Sequence, residues 1–222
     1  MDERLERAGL AYQRTVFDGD TGLLAQADRD LDGVEADLAL ARGRVFHVRF
    51  LIQREEDPAN VAEDPEELKC FERAAQLYQA LGDVRGEGEA LFWTGCFHQV
   101  VRRDNETAVP LLERSLDLAV QAGDKFTASE DLRHLGIAAH AAGRFDAARR
   151  RLEESTQLRQ EIGLLPGVAS NLIGLAYIAA AQNRRDDAMT LLDEAGAIAD
   201  AAGAMRIRRT ADQARAELGP GH

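Results

Sequence analysis

The dipeptide Gly82-Asp83 returns as Gly123-Asp124, and glycine recurs again at Gly163 and Gly203. The steps are 41, 40 and 40 residues. A fixed period of that length marks a stack of supersecondary units, none of which can bury its own apolar face alone. The recurrence constrains the architecture and names no reaction.

Each period holds two helical patterns. The first carries an apolar residue, another residue three later and then a small one: Leu91-Thr94-Gly95, Leu132-Leu135-Gly136 and Leu172-Leu175-Ala176. The second carries a small residue and a leucine four later: Ala108 and Leu112, Ala148 and Leu152, Ala188 and Leu192. Spacings of three and four put these residues on one helical face. The small residues let neighbouring helices approach, and the leucines fill the space between them. Only 5% of the chain is aromatic and no β-branched run alternates with period two, so the expected fold is all-α.

These residues resemble the tetratricopeptide repeat family. Residues 129–162 match best, with Leu132, Leu135, Gly136, Ala139, Gly143, Phe145, Ala148 and Leu152 at the family's helix and turn positions. The unit after it repeats the pattern with Leu172, Leu175, Ala176, Ala179, Ala188 and Leu192. The resemblance implies an α-solenoid, a right-handed superhelix of antiparallel helix pairs whose first helices line a concave face. The period is 40 rather than the usual 34, so it also implies the long-repeat type, with each second helix extended. The family's terminal proline is absent, and Asn183 stands where a turn glycine is expected. Pro110 falls where a second helix should be under way. An interior proline costs about 3 kcal/mol, which predicts a late start after residues 102–107 or a kink.

The whole chain, 1–222, reads as one such domain, with repeats at 34–81, 84–122, 125–162 and 165–202 and a polar-faced capping helix at 204–217. Residues 1–33 read as a degenerate helix pair, 3–17 and 21–31, joined by Asp18-Gly19-Asp20. A helix at 34–54 opens the first repeat, and a polar loop at 55–63 follows it. Asp64-Pro65-Glu66-Glu67 is a helix start: an N-cap aspartate, proline at the first helical position and glutamate three residues after the cap. The tail from Gly219 to His222 is expected to be disordered.

Charge narrows the partners. The net charge is −12, and residues 1–67 carry 17 acids against 8 bases. Without a concentrated basic face, nucleic acid is a poor ligand, because phosphate neutralisation dominates such binding. No stretch is long and apolar enough for a bilayer span, and the N-terminus has no apolar signal core, so a cytoplasmic protein with no membrane partner is expected. The excess of arginine over lysine, 25 to 2, reads as the base composition of a bacterial genome. Cys70 and Cys96 have no metal-ligand spacing and read as buried thiols.

If first helices line the concave face, the inward positions are Glu89, Phe92, Cys96 and Gln99 in one unit. The next unit contributes Glu130, Arg133, Ile137 and His140, and the one after it Ser170, Ile173 and Tyr177. Phe46 and Phe50 join them from the first repeat. Phe92, Ile137, Ile173 and Tyr177 would form an apolar stripe with Arg133 and His140 as polar anchors, a groove for a partner peptide or amphipathic helix. The competing reading is that the stripe is ordinary core, or is covered by the chain itself.

The function expected is a non-catalytic interaction scaffold that binds no cofactor and no metal and has no catalytic residues. A small-molecule-sensing regulatory protein is the alternative. An enzyme is the remote third, for which a Cys96–His140 thiolate–imidazole pair across adjacent first helices would be the chemistry. Self-association as a homodimer is also expected, because solenoid ends and flat acidic faces pair.

Overall fold

Every short turn of this chain must satisfy the last carbonyls of one helix and start the next within a few residues. The computed structural model describes residues 2–219, and among them every regular element is a helix. Two compact units emerge, Met1–Ala122 and Gly123–His222. The first holds α1 (Glu3–Asp18), α2 (Leu24–Glu56), α3 (Pro65–Leu81), α4 (Val84–Val100) and α5 (Asn105–Ala122). The second holds α6 (Lys125–Ala141), α7 (Phe145–Glu161), α8 (Leu165–Ala181), α9 (Arg185–Ala201) and α10 (Met205–Leu218). Within each unit, helices adjacent in sequence pack against one another.

In the second unit the turns are alike. Gly143 and Asn183 both have positive φ, 71° and 61°. Gly143 N–H donates to His140 O and Arg144 N–H to Ala139 O, each at 2.9 Å, and Asn183 and Arg184 repeat both bonds to Ala180 O and Ala179 O. This is the left-handed C-cap that glycine adopts without strain and asparagine tolerates. Asn183 therefore does the work of the expected glycine.

The small-residue and leucine pairs also meet as their spacing requires. A Cβ on Gly95 would come within 2.9 Å of Leu112, and one on Gly136 within 3.1 Å of Leu152. Ala108, Ala148 and Ala188 are fully buried, with Leu112, Leu152 and Leu192 beside them in the core.

Three sequence expectations change. Residues 21–31 and 34–54 belong to one uninterrupted helix, α2, of 33 residues. Gly33 does not end a helix there; its missing Cβ makes room for the Arg4 side chain, 3.2 Å from where that atom would lie. The second helix of each pair is not extended, since α6, α7, α8 and α9 each have 17 residues. α5 begins at Asn105 and carries Pro110 within it. The start is held by Asp104, whose carboxylate accepts from Thr107 N–H at 3.0 Å. Of the tail, residues 220–222 lie outside the described residues.

Candidate functional site

In the first unit the candidate residues gather where α2, α3 and α4 meet. The inner stripe of α2 reads Ala36, Leu40, Gly43, His47 and Phe50, all buried. His47 interrupts an otherwise apolar face. Its Nδ1 lies 2.7 Å from Glu67 Oε1 of α3, and its Nε2 lies 3.8 Å from Cys96 Sγ of α4. Trp93 meets the same imidazole edge-on at 5.5 Å, stacks on Phe71 at 5.7 Å and carries the Arg44 guanidinium 5.6 Å above its ring. Arg44 also forms an ion pair with Glu89.

This order of thiol, imidazole and carboxylate is what nucleophilic catalysis uses. Its burial points elsewhere. Cys96 is 3% exposed and Glu67 0%, so a substrate would have no route to the sulfur in this conformation. The line instead fixes three helices to one another through a buried polar contact. Glu67 Oε2 is itself buried without a hydrogen-bond partner.

Sequence reading missed His47 and Glu67 for identifiable reasons. Glu67 sits three residues after an N-cap and looks like the second half of a capping box. Asp64 does cap α3, accepting from Glu66 N–H at 2.9 Å, but the Glu67 carboxylate turns inward to His47. The signal for His47 was its place in the three- and four-residue rhythm of Ala36, Leu40, Gly43, His47 and Phe50 along α2. The imidazole found beside Cys96 is that of His47.

The expected inward positions differ in what they face. Phe50, Phe92, Cys96 and Gln99 are buried, while Phe46 and Glu89 are half-buried. In the second unit Ile173 is buried, and Glu130, Arg133, His140 and Tyr177 are half-buried. Ile137 is exposed at 38%. Tyr177 donates its hydroxyl to Glu217 of α10 at 2.6 Å; burial and that carboxylate push its phenol up to about 12. His140 lies 5.6 Å from the Phe145 ring.

Glu130 and Arg133 are drawn toward a buried polar network. Arg159 of α7 is 2% exposed, and its guanidinium pairs with Glu130 and donates to Gly167 O at 2.8 Å and Asn171 Oδ1 at 3.0 Å. Arg133 donates to Ser170 O at 3.2 Å and to the same Asn171 Oδ1 at 3.1 Å. Burial pulls the Arg159 guanidinium below its ordinary value, and Glu130 opposes that shift. Arg133, Ile137 and His140 are spaced four and three residues apart on one face of α6, where Phe126 is also exposed.

Among the described residues no cluster of His, Cys, Asp and Glu could hold a metal ion, and no helix is long and apolar enough to cross a membrane.

Paired helices of this length, joined by left-handed caps and closed by small residues against leucines, define a helical repeat of the tetratricopeptide-like kind. Comparison with solved structures agrees on the fold. The chain is similar to the signal-transduction ATPase with numerous domains from Pyrococcus horikoshii, which has a tetratricopeptide repeat sensor. The TM-score is 0.56 at 14% identity, covering 97% of this chain and 41% of that one. It is also similar to BtubC from P. vanneervenii, with a TM-score of 0.47 at 14% identity over 84% of this chain and 93% of that one. A protein of nearly identical TPR-like repeats from Podosopora anserina gives 0.39 at 17% identity over 98% and 90%. No protein-family model matches the sequence, and no curated protein matches it.

Proposed function

We propose that the chain is a non-catalytic interaction scaffold that holds a peptide or amphipathic helix of a partner protein on the α6 and α8 surface of the second unit. The observation that carries this reading is Ile137, an aliphatic side chain 38% exposed on a helix whose neighbours in the same face are Arg133 and His140. An apolar contact flanked by a cation and an imidazole suits an amphipathic segment with an acidic edge. The tetratricopeptide-like fold is of a kind that serves protein interaction. In this reading the chain works in the cytoplasm of a bacterium and needs no cofactor.

Affinity capture from the native host tests it, with wild type beside Ile137→Asp/His140→Ala. A partner retained by wild type and lost by the folded double variant supports the assignment. Equal retention by both overturns it.

A second reading, a small-molecule-sensing regulatory protein, draws support from the Pyrococcus horikoshii protein, whose tetratricopeptide repeats are described as a sensor. A metabolite that raises the melting temperature of the isolated protein would favour it over the scaffold.

A further inference from the structure

The outer face of α2 carries a second apolar stripe that none of the described residues covers. Leu24, Leu31, Leu38, Val45 and Ile52 recur every seven residues and are 40, 44, 56, 46 and 46% exposed. Val34, Ala41 and Val48 fall three residues after the second, third and fourth of them, which completes the two-position pattern of a coiled-coil seam. Val48 is 45% exposed, and Leu38, Ala41, Val45 and Phe46 line a shallow depression of about 420 Å³ with Arg42 and Arg49. α2 is thus apolar on two sides, one facing α1, α3 and α4 and one facing outward. At 1.5 Å per residue the outward seam runs roughly 42 Å, and at a width of about 10 Å it reaches about 400 Å², within the size range of the largest apolar patches on monomers, which are often functional.

We propose that this seam is a homodimer interface, in which two copies of the chain pair α2 against α2 antiparallel about a twofold axis between Leu38 and Ala41. Charge selects both the partner and the direction. The residues flanking the seam on one side are Asp28 and Glu35 in its first half and Arg42 and Arg49 in its second. All four are exposed, and Glu35 also accepts from Arg73 of its own chain at 2.7 Å. Antiparallel pairing sets Asp28 opposite the second copy's Arg49 and Glu35 opposite its Arg42, and the symmetry repeats both pairs.

The flank on the other side follows the same division, with Asp30 and Asp37 before the axis and Arg44 after it. Asp30 and Asp37 are already bonded to Arg7 and Arg4 of α1, and Arg44 to Glu89 of α4. A parallel pair would bring Asp30 against Glu35 and Arg44 against Arg49, like charges at both ends of the seam. Antiparallel self-pairing is the arrangement in which no flanking pair is of like sign, Asp37 falling opposite Arg44 and Asp30 opposite Leu51.

The test is light scattering on the full chain. Wild type should have twice the 24.3 kDa mass at tens of micromolar, and Leu38→Glu, which adds an exposed carboxylate to the axis, should return it to 24.3 kDa with unchanged helical circular dichroism. Arg42→Glu/Arg49→Glu and Asp28→Arg/Glu35→Arg should each be monomeric alone and form a one-to-one dimer when mixed. Nitroxides on cysteines placed at Ala25, in a Cys70→Ser background, should lie about 40 Å apart in the dimer, against about 15 Å or less in a parallel one. A monomeric wild type overturns the proposal. So does a dimer that survives Leu38→Glu, a mixture that fails to pair, or a short nitroxide distance.

Discussion

Ser155 donates its hydroxyl to the carbonyl oxygen of Ser129 at 2.6 Å, tying the second helix of a pair to the first. Ser115 makes the same bond to Gly88 at 2.7 Å one period earlier. Ala74 and Ala195 hold the corresponding place in α3 and α9, and all four residues are fully buried. The position is limited by size, because the facing backbones pass close there. Serine adds a hydrogen bond to a carbonyl that already serves its own helix.

Replacing Ser155 by alanine should cost about 1–3 kcal/mol, because Asn171 Nδ2, 2.8 Å from the hydroxyl, loses its nearest acceptor in a buried setting. Arg159→Ala should cost more, roughly 3–5 kcal/mol, since it leaves Glu130 without its buried cation and removes the hydrogen bonds to Gly167 O and Asn171 Oδ1. Urea unfolding of the two variants measures both, and an Arg159→Ala protein as stable as wild type would refute the network's role.

Gly9 and Gly43 should respond to alanine in opposite directions. Nothing lies within 4 Å of a Cβ at Gly9 in α1, so the substitution gains about 0.5–1 kcal/mol from helix propensity. A Cβ at Gly43 would come within 2.4 Å of the buried Phe71 ring, and the displaced ring should cost about 1–3 kcal/mol. Thermal melts of the pair should move apart around the wild-type value.

Arg103, between α4 and α5, holds a positive φ of 56° without being glycine. Arg103→Gly should stabilise the protein by roughly 1 kcal/mol by removing that strain. Asn183→Ala, at φ 61°, should destabilise it by about the same amount. Chemical denaturation reads both.

His98 should make stability fall in mild acid. Burial, then the nearby Arg102, holds its pKa below the ordinary value, while Asp104, Glu72 and Glu63 oppose the shift. The folded state therefore keeps the imidazole neutral after the unfolded chain has begun to protonate. The stabilisation is whole above about pH 6.5 and is lost as pH falls through the folded pKa. His98→Gln should flatten the slope of melting temperature below about pH 6.5, and an unchanged slope would sink the assignment.

The period was legible because it is written in residues whose only duty is packing or turning: Gly143, Ala148 and Leu152 have one task each. Residues with two tasks were misread. The expected gap between 31 and 34 holds Gly33, which lies inside α2 and serves close approach by Arg4. Glu67 looked like half of a cap, yet its carboxylate belongs to His47. The inward stripe was read from spacing along single helices, and such spacing carries no information about the neighbour that covers a residue. Cys96 and Ile137 stand 41 residues apart in the same register, and only Ile137 is exposed.

From Lys125 onward the helices begin at 125, 145, 165, 185 and 205, a step of twenty residues. Such a chain behaves like a ruler with two kinds of graduation. A change in length of forty residues restores every junction, for Arg144 then meets the role of Arg184. A change of twenty leaves the turns sound but exchanges the two helix types, setting leucine where its neighbour offers leucine and small residue where it offers small. Packing in this chain is therefore conserved only by double steps. Between those lengths lie chains whose turns are correct and whose helices do not fit.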